Sequence, residues 1–378
     1  MSDAMSPVQD GEAEHVRDEM ALCLSGGGYR AMLFHLGALW RLNELGYLPR
    51  LDRVSSVSGG SITAATLALR WDALGFDGGG VATGFGKHVV EPIRALAGRT
   101  VDEVSVAKAL LTPGTVSEKV AGAYRRHLFG DATLQDLPDE PRFVLNATNL
   151  QTGALWRFSK PYMADHRVGM VREPRVPLAD AVAASSAFPP VLSPMRLEVD
   201  PAGWDLEGRG ELHEEPYTSD VVLSDGGVYD NLGLETAWKR CRTVLVSDGG
   251  GQMTPEPKVH SDWARHAMRV NFVIDNQVRN LRKRQTVEGF KRGDREGAYW
   301  GIRTHIGDYG EVPGALPCPP EQTLRLAAEK TRLKEMDDIR QERIVNWGYA
   351  VCDAAIRRWV EPAADPPAGF PYAAAGVG

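Results

Sequence analysis

The sequence predicts an α/β protein in which one doubly wound sheet lies between two layers of helices. Short apolar runs rich in β-branched residues alternate with segments whose apolar side chains recur at helical spacing. Two of these runs end in a glycine-rich turn that leads directly into a helix. The length of 378 residues, with 43% hydrophobic and 25% charged side chains, is typical of a globular protein with an ample core.

Two strand-turn-helix units open the folded chain. Residues 20–24 are a short apolar run, and apolar side chains recur at helical spacing over residues 31–45. Residues 53–57 predict the second strand, and Ser61 is placed to cap a helix that continues to about Leu69. Both units fit a sheet with crossover helices.

Three later runs complete the predicted sheet. They share β-branched apolar residues, which suit burial on both faces, and they cover residues 142–147, 221–223 and 243–247. We therefore place them in the same covered sheet as the first two strands.

We expect one domain over residues 20–361, followed by a flexible tail at 362–378 that is rich in Pro, Ala and Gly. The acidic segment 1–19 has few large apolar residues, which predicts mobility. Residues 262–361 are charged and mainly helix-prone.

One stretch breaks the alternation of strands and helices. Residues 71–141 contain a triple-glycine loop at 78–80 and helix-prone pieces near 107–111 and 118–128. This stretch is predicted to be a helical insertion.

Composition excludes several classes of protein. The net charge of −7 argues against nucleic acid as a partner, and the mean hydropathy of −0.27, without an apolar run of membrane-spanning length, argues against a transmembrane helix. The acidic amino-terminal segment differs from a secretory signal, so we expect a cytoplasmic protein. Four scattered cysteines suggest neither a zinc site nor a disulfide framework: Cys23, Cys241, Cys318 and Cys352.

Ser58 is the candidate nucleophile. It lies in Ser56-Val57-Ser58-Gly59-Gly60, between a predicted strand and a predicted helix, which is the setting of a nucleophile elbow. Ser56 stands where that motif usually has its first glycine. A turn of small residues without catalytic function explains the same segment equally well.

The glycine run Gly26-Gly27-Gly28 precedes a helix and can present backbone N–H groups to an anion. With the amide of Gly59, it is a candidate oxyanion hole for acyl transfer. The spacing Gly26-x-Gly28-x-x-Ala31 also fits a dinucleotide fingerprint. That alternative is weaker, because a dinucleotide site needs an acidic residue at the end of the second strand, and Ser58 stands there.

Asp225 is the candidate base, since it follows an apolar strand in Ser224-Asp225-Gly226-Gly227 and a serine hydroxyl needs a proton acceptor during attack. The same four residues recur with Asp248 after the next strand. We favour Asp225, because an ordinary strand-end turn explains Asp248.

These three segments, in this order, resemble the patatin-like phospholipases, a family of lipid acyl hydrolases that includes the cytosolic phospholipase A catalytic domain. The resemblance covers about residues 22–250, and segments 146–149 and 183–189 are similar to supporting parts of the family. It implies a three-layer fold, a dyad of Ser58 and Asp225, and hydrolysis of membrane glycerophospholipids without a cofactor.

A histidine triad and a metal site are the alternatives to this dyad. A triad in hydrolase order would use His260, His266 or His305, although none stands in a recognisable motif, and His35 suits a structural role within the first helix. No His, Asp or Glu cluster has metal-ligand spacing, so we expect no metal in the chemistry.

The substrate side is predicted from apolar and basic segments. Phe188 and Pro189 begin an apolar wall at 188–192, and Arg30 is placed either near a lipid phosphate or to orient the glycine loop.

An amphipathic helix over about 262–283 continues into a basic stretch. Its cations suit a phospholipid membrane surface or a soluble anionic regulator, although a solvated helix face remains the simpler interpretation. The cations proposed to contact lipid are Arg279, Arg282, Lys283 and Arg284. The oligomeric state is left open.

Overall fold

A mixed sheet forms the centre of the molecule. The computed structural model describes residues 16–102, 115–205 and 207–378, and in these ranges the sheet has ten strands. They are β1 (Arg17–Leu24), β2 (Arg53–Val57), β3 (Arg142–Asn149), β4 (Leu155–Phe158), β5 (Tyr162–Asp165), β6 (Gly169–Arg172), β7 (Met195–Glu198), β8 (Asp220–Asp225), β9 (Cys241–Asp248) and β10 (Glu296–Gly301).

The α-helices of the described ranges follow the chain between and beyond these strands. They are α1 (Gly28–Glu44), α2 (Gly59–Leu69), α3 (Glu91–Ala97), α4 (Val116–Tyr124), α5 (Leu178–Ser185), α6 (Gly227–Asp230), α7 (Glu235–Trp238), α8 (Trp263–Arg292), α9 (Pro320–Ala327) and α10 (Asp338–Trp359).

One half of the sheet is parallel and the other antiparallel. Strands β10, β9, β1, β2 and β3 are parallel neighbours in that order, which confirms the predicted α/β class. Beyond β3, the strands β4, β5 and β6 form an antiparallel meander, and β8 pairs antiparallel with both β3 and β7. The sheet is therefore mixed. Strand β8 was predicted at residues 221–223 but not its antiparallel direction, and the meander and β7 were not predicted.

The alternation of side chains along β1 shows the three layers. Leu22 and Leu24 point into the larger core, which contains α1, α2 and α10. Ala21 and Cys23 point into a smaller core on the opposite face, with Leu232 and neighbours from α7 and β9. Helices thus cover both faces of the sheet, as predicted.

The insertion is only partly described. The helix-prone piece near 107–111 lies outside the described residues. The second piece, expected at 118–128, is α4, which starts with a capping box between Thr115 and Glu118 and runs into one π-helical turn at Arg125–Phe129.

Both chain ends differ from expectation. Of the segment predicted to be mobile at 1–19, residues 1–15 lie outside the described ranges, and the strand β1 begins within it at Arg17. The tail at 362–378, predicted to be flexible, packs on α10. Asn346 on α10 donates to the carbonyls of Tyr372 and Gly376 at 2.8 and 2.7 Å, and the Val377 side chain is buried. Composition alone missed these contacts.

Removing residues 371–378 should lower the free energy of unfolding by roughly 1–3 kcal/mol or more, because the buried Asn346 side chain would lose its partners. Urea unfolding followed by circular dichroism measures the difference. Asn346→Ala in the full chain is the matched variant, and it should destabilise to a similar extent. An unchanged midpoint in both would show that the tail contributes nothing to stability.

Candidate active site

Two strands meet end to end beside β3. The first part of β3 pairs with β2, ending at Val57 opposite Asn146, and its last part pairs with β8, where Asp225 lies opposite Ala147. Because β4 occupies the other edge of β3, β2 and β8 share one edge. Since β8 is antiparallel, its carboxyl end faces the carboxyl end of β2. Ser58, the residue after β2, is thereby brought to Asp225.

Ser58 has the backbone of a nucleophile elbow. Its dihedral angles are φ 53° and ψ −119°, in a region that residues other than glycine rarely occupy, directly between β2 and α2. Its side chain is 7% exposed. The strained conformation requires support from the surroundings, and the amide of Ser58 donates to the Ser185 hydroxyl at 3.0 Å.

A buried network of hydroxyl groups provides that support. The Ser185 hydroxyl donates to the Asn146 carbonyl at 2.6 Å and lies 2.8 Å from the Ser61 hydroxyl. Ser56, where the motif usually has glycine, has its hydroxyl 3.0 Å from that of Ser61. The serine at 56 is therefore accommodated as one member of this network.

The glycine loop brings a second helix amino terminus to the elbow. An added Cβ on Gly26 would lie 3.2 Å from the Ser58 Cβ, and one on Gly59 would lie 2.2 Å from the Gly28 carbonyl oxygen. The helices α1 and α2, which begin at Gly28 and Gly59, thus start next to one another. Unpaired amides at helix amino termini favour a negative charge.

The four glycine amides predicted to bind an oxyanion are not equivalent. Gly26 already donates its N–H to the Asn231 carbonyl at 3.0 Å, so its place in the predicted oxyanion hole is wrong. The amides of Gly27, Gly28 and Gly59 have no hydrogen-bond acceptor in the described part of the chain. These three are the donors that could bind an oxyanion.

Asp225 is a buried carboxyl with an unusual pKa. Burial raises its pKa to about 7, although the N–H of Gly227, at 2.7 Å from Oδ1, and the nearby Ser58 hydroxyl both lower it, while Asp275 raises it further. Its Oδ2 has no hydrogen-bond partner among the residues that the structure describes. A pKa near neutrality and an unpaired oxygen suit a general base.

Asp248, in the duplicate motif, has the opposite environment. Burial alone would raise its pKa, but Lys283, whose Nζ lies 2.5 Å from Oδ2, and the Tyr299 hydroxyl, at 2.6 Å, together hold the pKa well below its usual range. The carboxylate of Asp248 is thus ion-paired. It lies at the end of β9, on the far side of β1 from Ser58.

Arg30 has a structural role and does not face a substrate. It is 2% exposed, and its guanidinium donates to the Gly249 carbonyl at 3.1 Å, to the Thr331 hydroxyl at 3.0 Å and to the Glu329 carbonyl. Burial lowers its pKa to about 10. Its prediction as a substrate-binding residue is therefore wrong, and it orients the glycine loop.

The predicted apolar wall borders the site. Ala187 accepts the backbone N–H of Asp225 at 2.9 Å, and Phe188, the next residue, is 44% exposed. Pro189 follows it, partly exposed, and Val191 is exposed. Contact of Phe188 and Pro189 with substrate stays a prediction.

The predicted cationic patch is mostly engaged within the protein. Lys283 pairs with Asp248, Arg282 lies near Asp230 and Glu235, and Arg279 pairs with Asp275 at 2.6 Å. We therefore do not assign these three cations to lipid head groups.

The histidines give no support to a triad. The side chains of His260, His266 and His305 are exposed, whereas Ser58 and Asp225 are buried. His35 is buried between the Ser247 hydroxyl and the Ser25 carbonyl, and burial lowers its pKa to about 4. It is a neutral structural residue, as expected.

In the described ranges, no three His, Cys, Asp or Glu side chains are grouped closely enough to bind a metal ion. No helix there combines the length and apolar character needed to cross a bilayer.

Asn231 is the site residue that sequence reasoning missed. Added Cβ atoms on Gly26 and Gly227 would lie 2.6 and 2.7 Å from its Oδ1, and its buried Nδ2 has no acceptor among the described residues. Its side chain thus lies between the glycine loop and the Asp225 turn. Its sequence signal was its place in segment 228–233, which follows the Asp225 turn and resembles the family's catalytic segment, but no role was assigned to it.

The sheet, the elbow and the paired helix termini define an α/β protein with a buried serine and carboxyl at adjoining strand ends. A family model described as patatin-like phospholipase matches residues 22–238, more than half of the chain. The chain therefore belongs to the patatin-like phospholipase family, which confirms the resemblance seen in the sequence. No curated protein sequence matches it significantly.

Similar solved structures are distant. Human GIVD cytosolic phospholipase A2 is 13% identical with a TM-score of 0.43, over 91% of this chain and 59% of that chain. Its complex with methyl gamma-linolenyl fluorophosphonate gives 15% identity and a TM-score of 0.49, over 90% and 58%. VipD from Legionella pneumophila is 16% identical with a TM-score of 0.34, over 89% and 66%. The chain thus spans about three fifths of the human enzyme.

The two aspartates should respond oppositely to replacement by asparagine. The folded protein holds a proton on Asp225 that the unfolded chain releases near pH 4, so this carboxyl destabilises the fold increasingly as the pH rises to about 7. Asp225→Asn should therefore raise the free energy of unfolding at pH 8, at most by about 4 kcal/mol, with no gain below pH 4.

Asp248→Asn is the matched variant. The lowered pKa of Asp248 means that its carboxylate stabilises the fold above about pH 4, so the variant should lose about 1–3 kcal/mol at pH 8. Denaturant titrations at both pH values measure the two differences. Destabilisation of both variants at pH 8 would contradict the assigned environment of Asp225.

Proposed function

We propose that this protein is a serine acyl hydrolase that cleaves fatty-acyl ester bonds of membrane glycerophospholipids through Ser58 and Asp225. The observation that carries the proposal is the meeting of the strained Ser58 turn with the buried carboxyl of Asp225, whose Oδ2 has no partner among the described residues, at the shared edge of β3. Membership of the patatin-like phospholipase family supports the lipid hydrolase class.

The first chemical step transfers the acyl group to the enzyme. The Ser58 oxygen attacks the ester carbonyl carbon while its proton passes to Asp225, whose charged form is available above about pH 7. The negative charge that develops on the carbonyl oxygen is stabilised by the amides of Gly27, Gly28 and Gly59. The carbon–oxygen ester bond then breaks, and the leaving alkoxide takes the proton from Asp225.

The second step releases the fatty acid. Asp225 removes a proton from water, whose oxygen attacks the acyl-serine carbonyl at the same three amides. The bond to Ser58 breaks and its oxygen regains the proton, so that the enzyme returns to its starting state. A single carboxyl can serve both steps because its pKa of about 7 allows it to accept and to release a proton near neutral pH.

The exposed apolar residues around Asp225 support a lipid substrate. Phe188 and Val191 lie on one side of it, and Val228, which is 50% exposed, follows the Asp225-Gly226-Gly227 turn. An acyl chain leaving a bilayer needs such a surface next to the reacting serine. The proposed setting is cytoplasmic, with transient association with a membrane surface.

A second function is a ligand-gated or catalytically weak lipid-binding effector on the same scaffold. It would bind lipid vesicles without releasing fatty acid. Product analysis after incubation with mixed phospholipids distinguishes the two functions, because only the hydrolase yields lysolipid and free fatty acid.

Ser58→Ala should reduce ester hydrolysis by at least about 10⁴-fold, because the nucleophile is lost while the volume change is small. It should also abolish labelling by a fluorophosphonate. Ser159→Ala, which removes another buried hydroxyl at the end of β4, is the control and should keep both activity and labelling. Undiminished labelling of folded Ser58→Ala would show that another residue is the nucleophile.

The pH dependence should report Asp225. Because only the deprotonated carboxyl accepts the serine proton, kcat/KM for a soluble ester should fall about tenfold per pH unit below pH 7 and level off above it. Rates from pH 4.5 to 9 on an ester without ionisable groups measure the profile. An inflection near pH 4 would mean that Asp225 has an ordinary pKa or is not the base.

A further inference from the structure

The amino-terminal half of α8 is an exposed helix with a large apolar surface. From Trp263 to Ile274, every side chain is exposed except that of Arg269, and Trp263 itself is 84% exposed. Of the sixteen large apolar side chains exposed in the described ranges, eight belong to this helix: Trp263, Met268, Val270, Phe272, Val273, Ile274, Val278 and Leu281. A surface of this kind indicates a partner.

The other end of the same helix is fixed to the body of the protein. Thr286 and Gly289 are buried, and an added Cβ on Gly289 would lie 2.6 Å from the Trp238 ring. Lys283 and Arg279 attach the middle of the helix to Asp248 and to the Gly251 carbonyl. The exposed half is therefore held in place by its continuation.

Five of these eight side chains, together with Ala267, form one continuous strip, the α8 strip, which consists of Trp263, Ala267, Val270, Ile274, Val278 and Leu281. Their spacing of three and four residues places them on one side of the helix over about 27 Å. At 100° per residue, this side is roughly a quarter turn from Thr286 and Gly289, which face the body. The strip thus lies on a side of the helix that does not face the core.

The α8 strip lies close to the proposed active site. Helix α8 crosses the carboxyl end of β9 through its contacts with Asp248 and Gly251, and β9, β1 and β2 are parallel, so their carboxyl ends share one edge of the sheet. Ser58 lies on that edge. Asp275, one residue after Ile274, is near enough to influence Asp225 electrostatically.

The charge of the exposed half identifies the partner. Residues 263–274 contain Arg265, His266 and Arg269 and no acidic residue, in a chain with a net charge of −7. Arg265 lies 3.8 Å from Asp262, and Arg269 lies 3.6 Å from Glu256. These long contacts near the surface contribute little free energy, so both cations can exchange them for lipid phosphates. A positively charged apolar helix fits an anionic lipid surface, and a second copy of the same helix would bring like charges together.

We propose that the α8 strip docks the protein on an anionic lipid bilayer, with the helix in the plane of the interface and Ser58 facing the lipid. The proposal rests on the proposed hydrolysis of membrane lipids. It assigns the docking function to the apolar side chains of the α8 strip, whereas the cations at 279–283 hold the helix to the protein.

The test compares a variant that has three substitutions in the strip with a control variant that has two substitutions elsewhere, both in the full chain. Trp263→Gln, Val270→Gln and Ile274→Gln, combined, replace the centre of the strip while glutamine preserves helix propensity. Ile339→Gln and Trp359→Gln, combined, are the control, because these apolar side chains are similarly exposed on α10. Binding to vesicles of phosphatidylcholine, with and without phosphatidylglycerol, is measured by co-sedimentation at low and moderate salt.

The unsubstituted protein should bind the anionic vesicles more tightly, and salt should weaken this binding. The strip variant should lose roughly 100-fold in affinity, whereas the α10 variant should stay within about twofold. Brominated lipids should quench tryptophan fluorescence in the unsubstituted protein and less in Trp263→Phe. Equal vesicle binding by the strip and control variants would overturn the proposal.

Two further readouts distinguish the reasons for a failure. Hydrolysis of a soluble ester should be unchanged in the strip variant, since no strip residue belongs to the catalytic machinery. Absence of that hydrolysis from the unsubstituted protein would count against the proposed function and leave vesicle binding as a separate result. A dimer in light scattering that the strip substitutions dissociate would assign the strip to a second copy and overturn the bilayer proposal.

Discussion

The site depends on the way in which one edge of β3 is divided between two strands. β2 occupies it as far as Asn146, and β8 occupies it from Ala147 onward. A parallel β8 would turn Asp220 toward the elbow, and a longer β2 would leave Ala147 no room to pair with Asp225. The antiparallel direction of β8 is therefore what makes a serine and an aspartate, 167 residues apart in sequence, neighbours in space. The hydroxyl network at Ser185 then holds the elbow backbone against this junction.

The two Ser-Asp-Gly-Gly segments show that a motif does not determine the chemistry of its carboxyl group. In both, Oδ1 accepts the N–H two residues later, at 2.7 and 2.9 Å. Both carboxyls are buried, and much of the difference comes from α8, which places Lys283 on Asp248 and no cation on Asp225, while its Asp275 adds a smaller effect on Asp225. One helix thus lowers the pKa of one carboxyl and helps to raise that of the other. Such contacts join residues far apart in sequence, so no local pattern reveals them.

Much of the fold was predictable because it depends on local patterns. Buried parallel strands and their crossover helices have characteristic periodicities, and four of the five parallel strands were predicted, at residues 20–24, 53–57, 142–147 and 243–247. Ser58 was predictable for the same reason. The fifth parallel strand, β10, was missed. Other features depend on partners that are distant in sequence, which spacing cannot supply. Arg30 is bound by residues 329–331, the Gly26 amide donates to residue 231, and the tail packs on residue 346. The antiparallel meander was missed because its strands have only four residues each.

The glycine loop is held from outside the segment that the family model matches. The Arg332 carbonyl accepts the N–H of Tyr29 at 3.0 Å, and the Thr331 hydroxyl and Gly249 carbonyl accept from Arg30. All three partners follow residue 238, where the family match ends. A fragment that ended at that boundary would keep the glycine loop, the Ser58 turn and the Asp225 turn. It would nevertheless lose the hydrogen bonds that hold the glycine loop with its oxyanion donors. In this protein, the unit that can be recognised by sequence comparison is smaller than the unit that holds the site together.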